Sequence, residues 1–383
     1  MIERAIYTEE HKMFQQSVKE FVAKEITPNN AKWEKQQMVS RESWLKFGEA
    51  GYLCMQVDEQ YGGLGITDFR YNAIIIEELS RSGCAGPAVG YPLHSLIVCP
   101  YIEHYATEAA KQKYLPKMIS GEYIGAIAMT EPGAGSDLQG IRATAVDKGD
   151  HYLVNGSKTF ITNGYLSDVV VVAVKTDPTK GAKGTSLLLI DVTMGGFTKG
   201  KPFEKVGLHA QDTCELFFEN VKVPKENLLG KEGEGFKYMM TELSQERLVV
   251  GLSGIGAAEG VLEKTVQYTK ERMAFGKAIS EFQNTRFKLA ELSTEVTVGR
   301  VFADRCVELH NEKKLDQATA SMCKAWLTDL QSKVADDCLQ LHGGYGYMWE
   351  YQVARAWADA RVQRIYAGTN EIMKELIARS VLK

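Results

Sequence analysis

The chain has 383 residues, of which 44% are hydrophobic and 25% charged, as in an ordinary globular protein with two or three domains. With 45 basic and 49 acidic residues the formal net charge is −4, so the sequence does not predict a basic surface for nucleic acid. The longest apolar runs, such as residues 169–174, are too short to span a bilayer, so no membrane insertion is expected.

Residues 1–122 carry the period of amphipathic helices. The first predicted helix has apolar residues on one face: Phe14, Val18, Phe21 and Val22. We expect it to end before Pro28. Further helices are predicted over 44–47, 71–79 and 107–115. The last of these should stop or kink at Pro116, because proline lacks the backbone N–H that a helix interior needs.

Residues 123–230 change to the period of strands. Predicted strands cover 168–175, 186–191 and 215–224. Asn155-Gly156 lies between two such runs and predicts a hairpin turn. Short strands at this spacing are typical of a barrel or a sandwich, not of a βαβ sheet.

Residues 231–383 return to helices, and these are long. Two of them are predicted over 234–271 and 316–341. Gly343 follows the second as a C-cap, and Ser280 with Gln283 forms a capping-box pattern at the start of another helix. Thr369 can cap the last helix. Long helices of this kind usually pack as a four-helix-type bundle.

The seven cysteines are scattered without a C-x-x-C pair: Cys54, Cys84, Cys99, Cys214, Cys306, Cys323 and Cys338. Their odd number and wide spacing predict free thiols in a reducing compartment. No His/Cys cluster has metal-ligand spacing, so no metal site is expected. Residues 1–10 mix charges of both signs without an apolar segment, so no secretory signal peptide is predicted.

Three segments have the composition of ligand-binding loops. Residues 128–137 combine two glycines and a proline between strands, where backbone N–H groups can face a ligand; a tight inter-strand loop is the alternative. Residues 340–348 end a helix in closely spaced glycines, or form a simple helix stop. Arg272 suits a phosphate, although a surface arginine is the simpler interpretation. Neither a G-x-G-x-x-G fingerprint nor a P-loop lysine motif accompanies them.

The order of these motifs resembles the acyl-CoA dehydrogenase family along essentially the whole chain. The shared motifs are Thr-Glu-Pro-Gly-Ala-Gly-Ser at 130–136, Phe-Ile-Thr-Asn-Gly at 160–164, Arg-x-x-Phe-Gly at 272–276, Gln-x-x-Gly-Gly-x-Gly at 340–346 and Tyr-x-Gly-Thr-Asn-Glu at 366–371. The resemblance implies an α+β fold with an N-terminal α-helical domain (1–122), a middle β-barrel domain (123–230) and a C-terminal four-helix-bundle domain (231–383). It also implies FAD as cofactor and oxidation of an acyl-CoA to the trans-2-enoyl-CoA.

Ala367 stands where most of that family carries its glutamate base, just before the Gly-Thr of the last motif. The reaction needs a carboxylate to remove the α-proton, and alanine cannot do so. In a minority of the family, including the long-chain and isovaleryl enzymes, the base lies on the first long C-terminal helix. The matching segment here is 243–250, which makes Glu246 the predicted base. A solvent-exposed helix glutamate is the alternative.

Within that minority the chain is most similar to the long-chain subgroup. The similar segments are 207–213, 245–248, 346–351 and 368–379. The chain departs from the subgroup at Ala367, commonly glycine there, and at Ser244. Both could line the acyl cavity, so the resemblance implies medium-to-long or branched acyl chains and leaves the length open.

The family's contacts, transferred position by position, give two further sets of predicted residues. Cofactor contacts are Met129, Thr130, Gly135, Ser136, Phe160, Ile161, Thr162, Arg272, Phe275, Gln283, Gln340, Leu341, His342, Gly343, Gly344, Thr369, Asn370 and Glu371. Substrate contacts are Ser136, Lys183, Gly184, Ser244, Gln245, Arg247, Ala367 and Gly368. The contacts from Arg272 to Gly344 are expected to cross a subunit boundary.

The resemblance also implies partners and a compartment. Electrons would pass to an electron-transferring flavoprotein, and the chain would form a homotetramer as a dimer of dimers. It would lie in the cytoplasm of a bacterium, or in the mitochondrial matrix if a eukaryotic chain has lost its transit peptide. The alternatives are an isovaleryl-type short branched-chain enzyme and a catalytically silent flavin-binding protein, and oxygen consumption would reveal an oxidase.

Overall fold

The computed structural model describes residues 2–383; Met1, which the predicted first domain includes, lies outside them. The N-terminal helices are α1 (Glu9–Phe21), α2 (Asn30–Gln36), α3 (Arg41–Glu49), α4 (Phe69–Ser82), α5 (Ala85–Pro92), α6 (Cys99–Tyr105) and α7 (Glu108–Ile119). The strands of the middle region are β1 (Gly125–Ala128), β2 (Thr144–Asp147), β3 (His151–Ile161), β4 (Val169–Lys175), β5 (Thr185–Asp191), β6 (Phe197–Lys199) and β7 (Cys214–Pro224).

The C-terminal region is again helical, as predicted. Its helices are α8 (Gly235–Glu271), α9 (Gln283–Asn311), α10 (Gln317–His342), α11 (Gln352–Gln363) and α12 (Asn370–Val381). A two-stranded ribbon, β8 (Met273–Ala274) and β9 (Lys277–Ala278), separates α8 from α9. The α, then β, then α order of the sequence is therefore confirmed.

Helix α1 ends at Phe21, before Pro28, as predicted, whereas Pro116 does not end the helix that contains it. After α1, a π-helical segment (Val22–Ile26) and a 3-10 turn (Thr27–Asn29) carry the chain through Pro28 into α2. Pro116 lies inside α7, which continues to Ile119. Of the two predicted outcomes, a stop or a kink, the stop is wrong, because burial of Tyr114, Leu115 and Met118 outweighs the loss of one backbone hydrogen bond.

The seven strands form one mixed sheet in the order β1-β4-β2-β3-β7-β6, with β5 paired to β4. Among residues 2–383 no pairing joins β6 to β1, so the region expected as a barrel is a curled open sheet. Every residue of β4 and β5 is buried. Alternate residues of β4 pack into two different cores, Val170 and Val172 inside the sheet and Val169 and Val171 against the helices. Burial on both faces explains the continuous apolar runs.

Asn155-Gly156 is not a hairpin turn, and that prediction is wrong. Strand β3 runs straight through it, with a register shift against β7 between Val154 and Gly156. Gly156 has φ 145°, and a Cβ there would stand 2.6 Å from that of Ala143. The glycine is needed for close approach of the neighbouring strand at a bulge.

Helix α10 packs against α8, α9 and α12 and so forms the centre of the C-terminal bundle. Asp316 caps its start, and Gly343 ends it with φ 58°, as predicted. The predicted capping box of Ser280 with Gln283 is wrong: Ser280 lies in a 3-10 turn, and α9 begins at Gln283 itself.

The seven cysteines are all free and buried, as predicted. Among residues 2–383, no helix is long and apolar enough to cross a membrane.

Candidate active site

A cavity of about 180 Å³ lies where the N-terminal helices, the sheet and α8 meet. It brings together seven residues predicted for the site: Met129, Thr130, Phe160, Ile161, Thr162, Glu246 and Ala367. Four separate segments of the sequence therefore converge on one apolar space, which we call the catalytic cavity.

Glu246 lies on α8 and is only 5% exposed, so it is not the solvent-exposed helix glutamate of the alternative interpretation. Burial raises the pKa of Glu246 to about 7. The hydroxyl of Tyr101 donates a hydrogen bond of 2.9 Å to its Oε1, which opposes this rise, and nearby Glu242 adds to it. A buried carboxyl group with a pKa near neutrality is suited to accept a proton.

Ala367 lines the same cavity in a left-handed conformation, with φ 51°, and Gly368 follows with φ 85°. The buried ammonium of Lys324 holds this turn by donating to the carbonyl of Gly368 and to Oδ1 of Asn370, both at 2.8 Å. Burial lowers the pKa of Lys324 to about 8. The turn that carries the majority base in the resembling family is thus present here without its carboxylate.

A buried ion pair fixes the loop that carries Met129 and Thr130. Lys158 donates to Oε1 of Glu131 at 2.8 Å and to the carbonyl of Met129 at 3.0 Å. Burial lowers the pKa of Lys158 to about 8, while this ammonium holds the pKa of Glu131 below its usual value. The ion pair therefore positions the loop over the cavity.

Phe160 stands at the edge of the catalytic cavity with φ 58° and 67% of its surface exposed. The backbone of its neighbour Thr159 is tied to the carbonyl of Thr130 at 3.0 Å. Phe160 is therefore a non-glycine residue in a left-handed conformation, and surrounding contacts must stabilise this strain.

A second, more open cleft of about 620 Å³ lies at the end of α8 and α10. Its predicted residues are Arg272, Gln340, Leu341, His342, Gly343 and Gly344. A Cβ built on Gly343 or Gly344 would meet nothing within 4 Å, so the backbone is open to a ligand. Phe275, at the tip of the β8–β9 ribbon, is 95% exposed.

The other predicted residues line neither space. Those that are exposed are Gly135, Ser136, Lys183, Gln283 and Glu371. Thr369 caps α12, and Asn370 is buried with its amide donating to Ala325, Thr328 and Asp329.

Five predicted substrate contacts that line neither space are at least partly buried: Gly184, Ser244, Gln245, Arg247 and Gly368. Gly184 is buried at the end of a 3-10 turn, Ser244 is half-buried, and the side chain of Gln245 donates to the carbonyl of Leu96. Arg247 is buried and only weakly bonded, at 3.4 Å, to Ser321. The direct roles of these residues stay predictions.

The sequence interpretation missed most of the apolar wall of the catalytic cavity. The missed residues are Ala88, Val89, Pro92, Leu93, Ile97, Ile127, Val249, Val250, Ser253 and Tyr366. Five of them come from α5 and the π-helical segment Leu93–Val98, where closely spaced glycines and prolines hid the helices. The run from Val249 was visible as an apolar stripe of α8.

The residues present fit FAD. The catalytic cavity offers an exposed aromatic ring and threonine hydroxyls beside an apolar floor, which suits a flavin ring. The second cleft offers the Arg272 guanidinium and open glycine backbone, which suit a pyrophosphate.

Three family models cover nearly the whole chain: acyl-CoA dehydrogenase N-terminal domain at 8–122, middle domain at 126–221 and C-terminal domain at 233–382. The long-chain specific mitochondrial acyl-CoA dehydrogenase of Sus scrofa is 51% identical, over 99% of this chain and 88% of its own. The short-chain specific acyl-CoA dehydrogenase of Clostridium acetobutylicum is 35% identical, over 98% of this chain and 99% of its own.

Solved structures also match this chain along nearly its whole length. An acyl-CoA dehydrogenase from Geobacillus kaustophilus matches with TM-score 0.96 and 52% identity, over 99% of this chain and 100% of that one. A chain from a structure of the electron transferring flavoprotein of Acidaminococcus fermentans matches with TM-score 0.94 and 38% identity, over 98% of this chain and 99% of that one. An acyl-CoA dehydrogenase complexed with FAD from Bacillus anthracis matches with TM-score 0.91 and 31% identity, over 98% of this chain and 68% of that one. The chain belongs to the acyl-CoA dehydrogenase family and is an FAD-dependent oxidoreductase acting on the CH–CH group of its donor.

Proposed function

We propose that this acyl-CoA dehydrogenase oxidises medium-to-long or branched fatty acyl-CoA with Glu246 as its catalytic base. One observation carries the proposal: among residues 2–383, Glu246 is the one carboxylate that lines the catalytic cavity, and Ala367 lines the same cavity. We therefore assign the base to α8 and not to the turn before Gly368.

The α-proton of the thioester is weakly acidic, so the base must be strong in its ionised form and protected from water. The apolar wall, which includes Leu93, Val249 and Val250, provides that protection. The hydrogen bond from Tyr101 engages Oε1 of Glu246 and leaves Oε2 for the α-proton. Burial matches the pKa of the base to neutral pH.

Loss of the α-proton places negative charge on the thioester oxygen, which hydrogen-bond donors must stabilise. The backbone N–H groups of Ala367 and Gly368 have no partner within residues 2–383 and are the donors we assign to this role. FAD, when bound, would supply the acceptor for the β-hydrogen as a hydride, which leaves a double bond between Cα and Cβ.

The cavity wall supports a preference for a longer acyl chain. Side chains beyond Glu246 are small or aliphatic, among them Ala88, Val89 and Ser253, and leave room for an extended chain. The high identity to a long-chain specific relative also supports this preference. Anaerobic FAD reduction with butanoyl-, isovaleryl-, octanoyl-, dodecanoyl- and hexadecanoyl-CoA measures it. Fastest reduction by butanoyl- or isovaleryl-CoA would overturn the chain-length proposal.

We further propose that the chain forms a homotetramer and passes its electrons to an electron-transferring flavoprotein. The exposed rings of Phe275 and Tyr347 beside the second cleft suit burial against another copy of the chain. Light scattering should give a homotetramer, a mass four times 42.6 kDa. Rapid reduction of an electron-transferring flavoprotein, without oxygen consumption, is expected after acyl-CoA is added.

Relocating the base tests the assignment within one cavity. Glu246→Gly should abolish FAD reduction, and adding Ala367→Glu should restore part of it, because both positions line the same space. The FAD content of each variant serves as the control for folding. If Glu246→Gly reduces FAD at the wild-type rate, Glu246 is not the base.

A further inference from the structure

A second, smaller cavity of about 40 Å³ adjoins the catalytic cavity. The two share Ala88, Val89 and Ser253 in their walls. This smaller space, which we call the distal cavity, lies between α4, α8, α10 and α11 and has no role in the chemistry proposed above.

The distal cavity lies in the direction in which α8 runs away from Glu246. Helix α8 contributes Glu246 and Ser253 to the catalytic cavity, then Ser253, Ala257 and Val261 to the distal cavity. The 11 residues from Glu246 to Ala257 advance about 16 Å along the helix. An extended chain of dodecanoyl length spans a comparable distance, so its end would arrive at the distal cavity.

Two polar side chains in the wall of the distal cavity lack partners. Oγ of Ser80 and Oε1 of Gln331 are buried and form no hydrogen bond with any residue from 2 to 383. Ser80 is 6% exposed and Gln331 4%. Both lie against the glycine-rich stretch of α8: Gln331 Oε1 is 3.5 Å from a Cβ built on Gly254, and the Ser80 Cβ is 3.2 Å from one built on Gly256.

Other polar groups of the same wall are already engaged. Oε1 of Gln363 accepts from the Tyr366 hydroxyl, and the amide of Gln352 donates to the carbonyl of Ser82. Asp359 accepts from the backbone of Leu208, and burial raises its pKa to about 7. The free capacity is therefore one amide oxygen that accepts and one hydroxyl that can donate, beside a carboxyl group that disfavours a second anion.

We propose that the distal cavity binds a hydroxyl group at the far end of the acyl chain, so that the enzyme prefers ω-hydroxyacyl-CoA to the unmodified acyl-CoA of the same length. The hydroxyl donates to Oε1 of Gln331 and accepts from Oγ of Ser80, which satisfies both side chains. The group is recognised and not altered. This inference rests on the proposed function, since it requires the chain to start at Glu246.

The test compares kcat/KM for dodecanoyl-CoA, ω-hydroxydodecanoyl-CoA and ω-carboxydodecanoyl-CoA. The hydroxylated substrate should be favoured about tenfold over the unmodified one, the worth of one net hydrogen bond, and the carboxylated substrate should be the poorest. The preference should vanish for ω-hydroxyhexanoyl-CoA against hexanoyl-CoA, because the shorter chain ends before the distal cavity.

Variants separate hydrogen bonding from packing. Gln331→Met and Ser80→Ala should each bring the ratio of kcat/KM for the hydroxylated to the unmodified substrate close to one. Val261→Ala, which alters the same wall without changing a polar group, should keep the preference. The FAD content of each variant shows whether it has folded. If one of the two polar variants fails to fold, the other is enough to test the inference.

Equal kcat/KM for the hydroxylated and unmodified substrates, or a carboxylated substrate as good as the hydroxylated one, would overturn the inference. In the first case bound water would satisfy the two side chains. Turnover of dodecanoyl-CoA in the same assay would show that the proposed function survives. Absence of turnover with every substrate would instead refute the proposed function.

Discussion

Replacing Tyr101 by phenylalanine should raise the pKa of the base. The Tyr101 hydroxyl donates to Oε1 of Glu246 at 2.9 Å, and this hydrogen bond stabilises the ionised carboxylate inside a buried site. A hydrogen bond to a charged group contributes about 1.5–3 kcal/mol. At 1.36 kcal/mol per pKa unit, its loss should raise the pKa of Glu246 by about one to two units.

The assay is the pH dependence of kcat/KM, followed by anaerobic FAD reduction. For the wild type the rising limb should have its midpoint near pH 7, where Glu246 ionises. In Tyr101→Phe the midpoint should move upward by the same one to two units, with the plateau at high pH largely kept.

Tyr105→Phe is the matched control, because the Tyr105 hydroxyl donates to Glu242 at 2.7 Å and not to Glu246. Its rising limb should stay near that of the wild type. A limb that does not move in Tyr101→Phe, or moves to lower pH, would refute the assignment of this limb to Glu246.

Three further predictions concern stability. Glu246→Gln should stabilise the protein by about 3 kcal/mol at pH 8 but little at pH 4.5, because the folded-state pKa of Glu246, raised to about 7, penalises its ionisation progressively between those pH values. The free energy of unfolding in denaturant at both pH values checks this, and an equal gain at both would contradict it. Lys158→Met should lower the free energy of unfolding by about 3–5 kcal/mol and weaken FAD retention, since it leaves the Glu131 carboxylate buried without its cation. Lys180→Met, at an exposed ion pair, should lower it by less than about 1 kcal/mol, and similar losses for the two variants in calorimetry would contradict this. Ala367→Gly should stabilise by about 0.5–1 kcal/mol by relieving φ 51°, and a loss of stability in thermal unfolding would contradict the strain.

The sequence predicted the parts of the fold that depend on strong local patterns. Long periodic segments without proline, such as the one that forms α8, and apolar runs such as 169–174 gave correct elements. Local rules failed where packing decided. Pro116 is held within α7 by its buried neighbours, and Gly156 serves a strand bulge because Ala143 approaches it closely.

The candidate site was predictable where motifs carried it and not where the fold did. Motif resemblance identified Glu246 and the loops that meet in the catalytic cavity. It could not identify Tyr101, which reaches Glu246 from 145 positions away, or Lys324, which holds the Gly368 turn. Such partners are set by tertiary contacts, and no spacing in the sequence encodes them. The π-helical segment Leu93–Val98 that forms part of the wall has no simple periodic pattern either.

The central claim is that Glu246 removes the α-proton, and the most direct test is the rate of FAD bleaching when dodecanoyl-CoA is mixed anaerobically with Glu246→Gln. Glu242→Gln is the matched control, a buried glutamate one turn away on α8 that lies outside the catalytic cavity. At a pH well above 7, where Glu246 is ionised whether or not Glu242 is charged, we predict a loss of about 10²–10⁴-fold in Glu246→Gln, with FAD still bound, and a rate close to the wild type in Glu242→Gln. Bleaching of Glu246→Gln at the wild-type rate would contradict the claim.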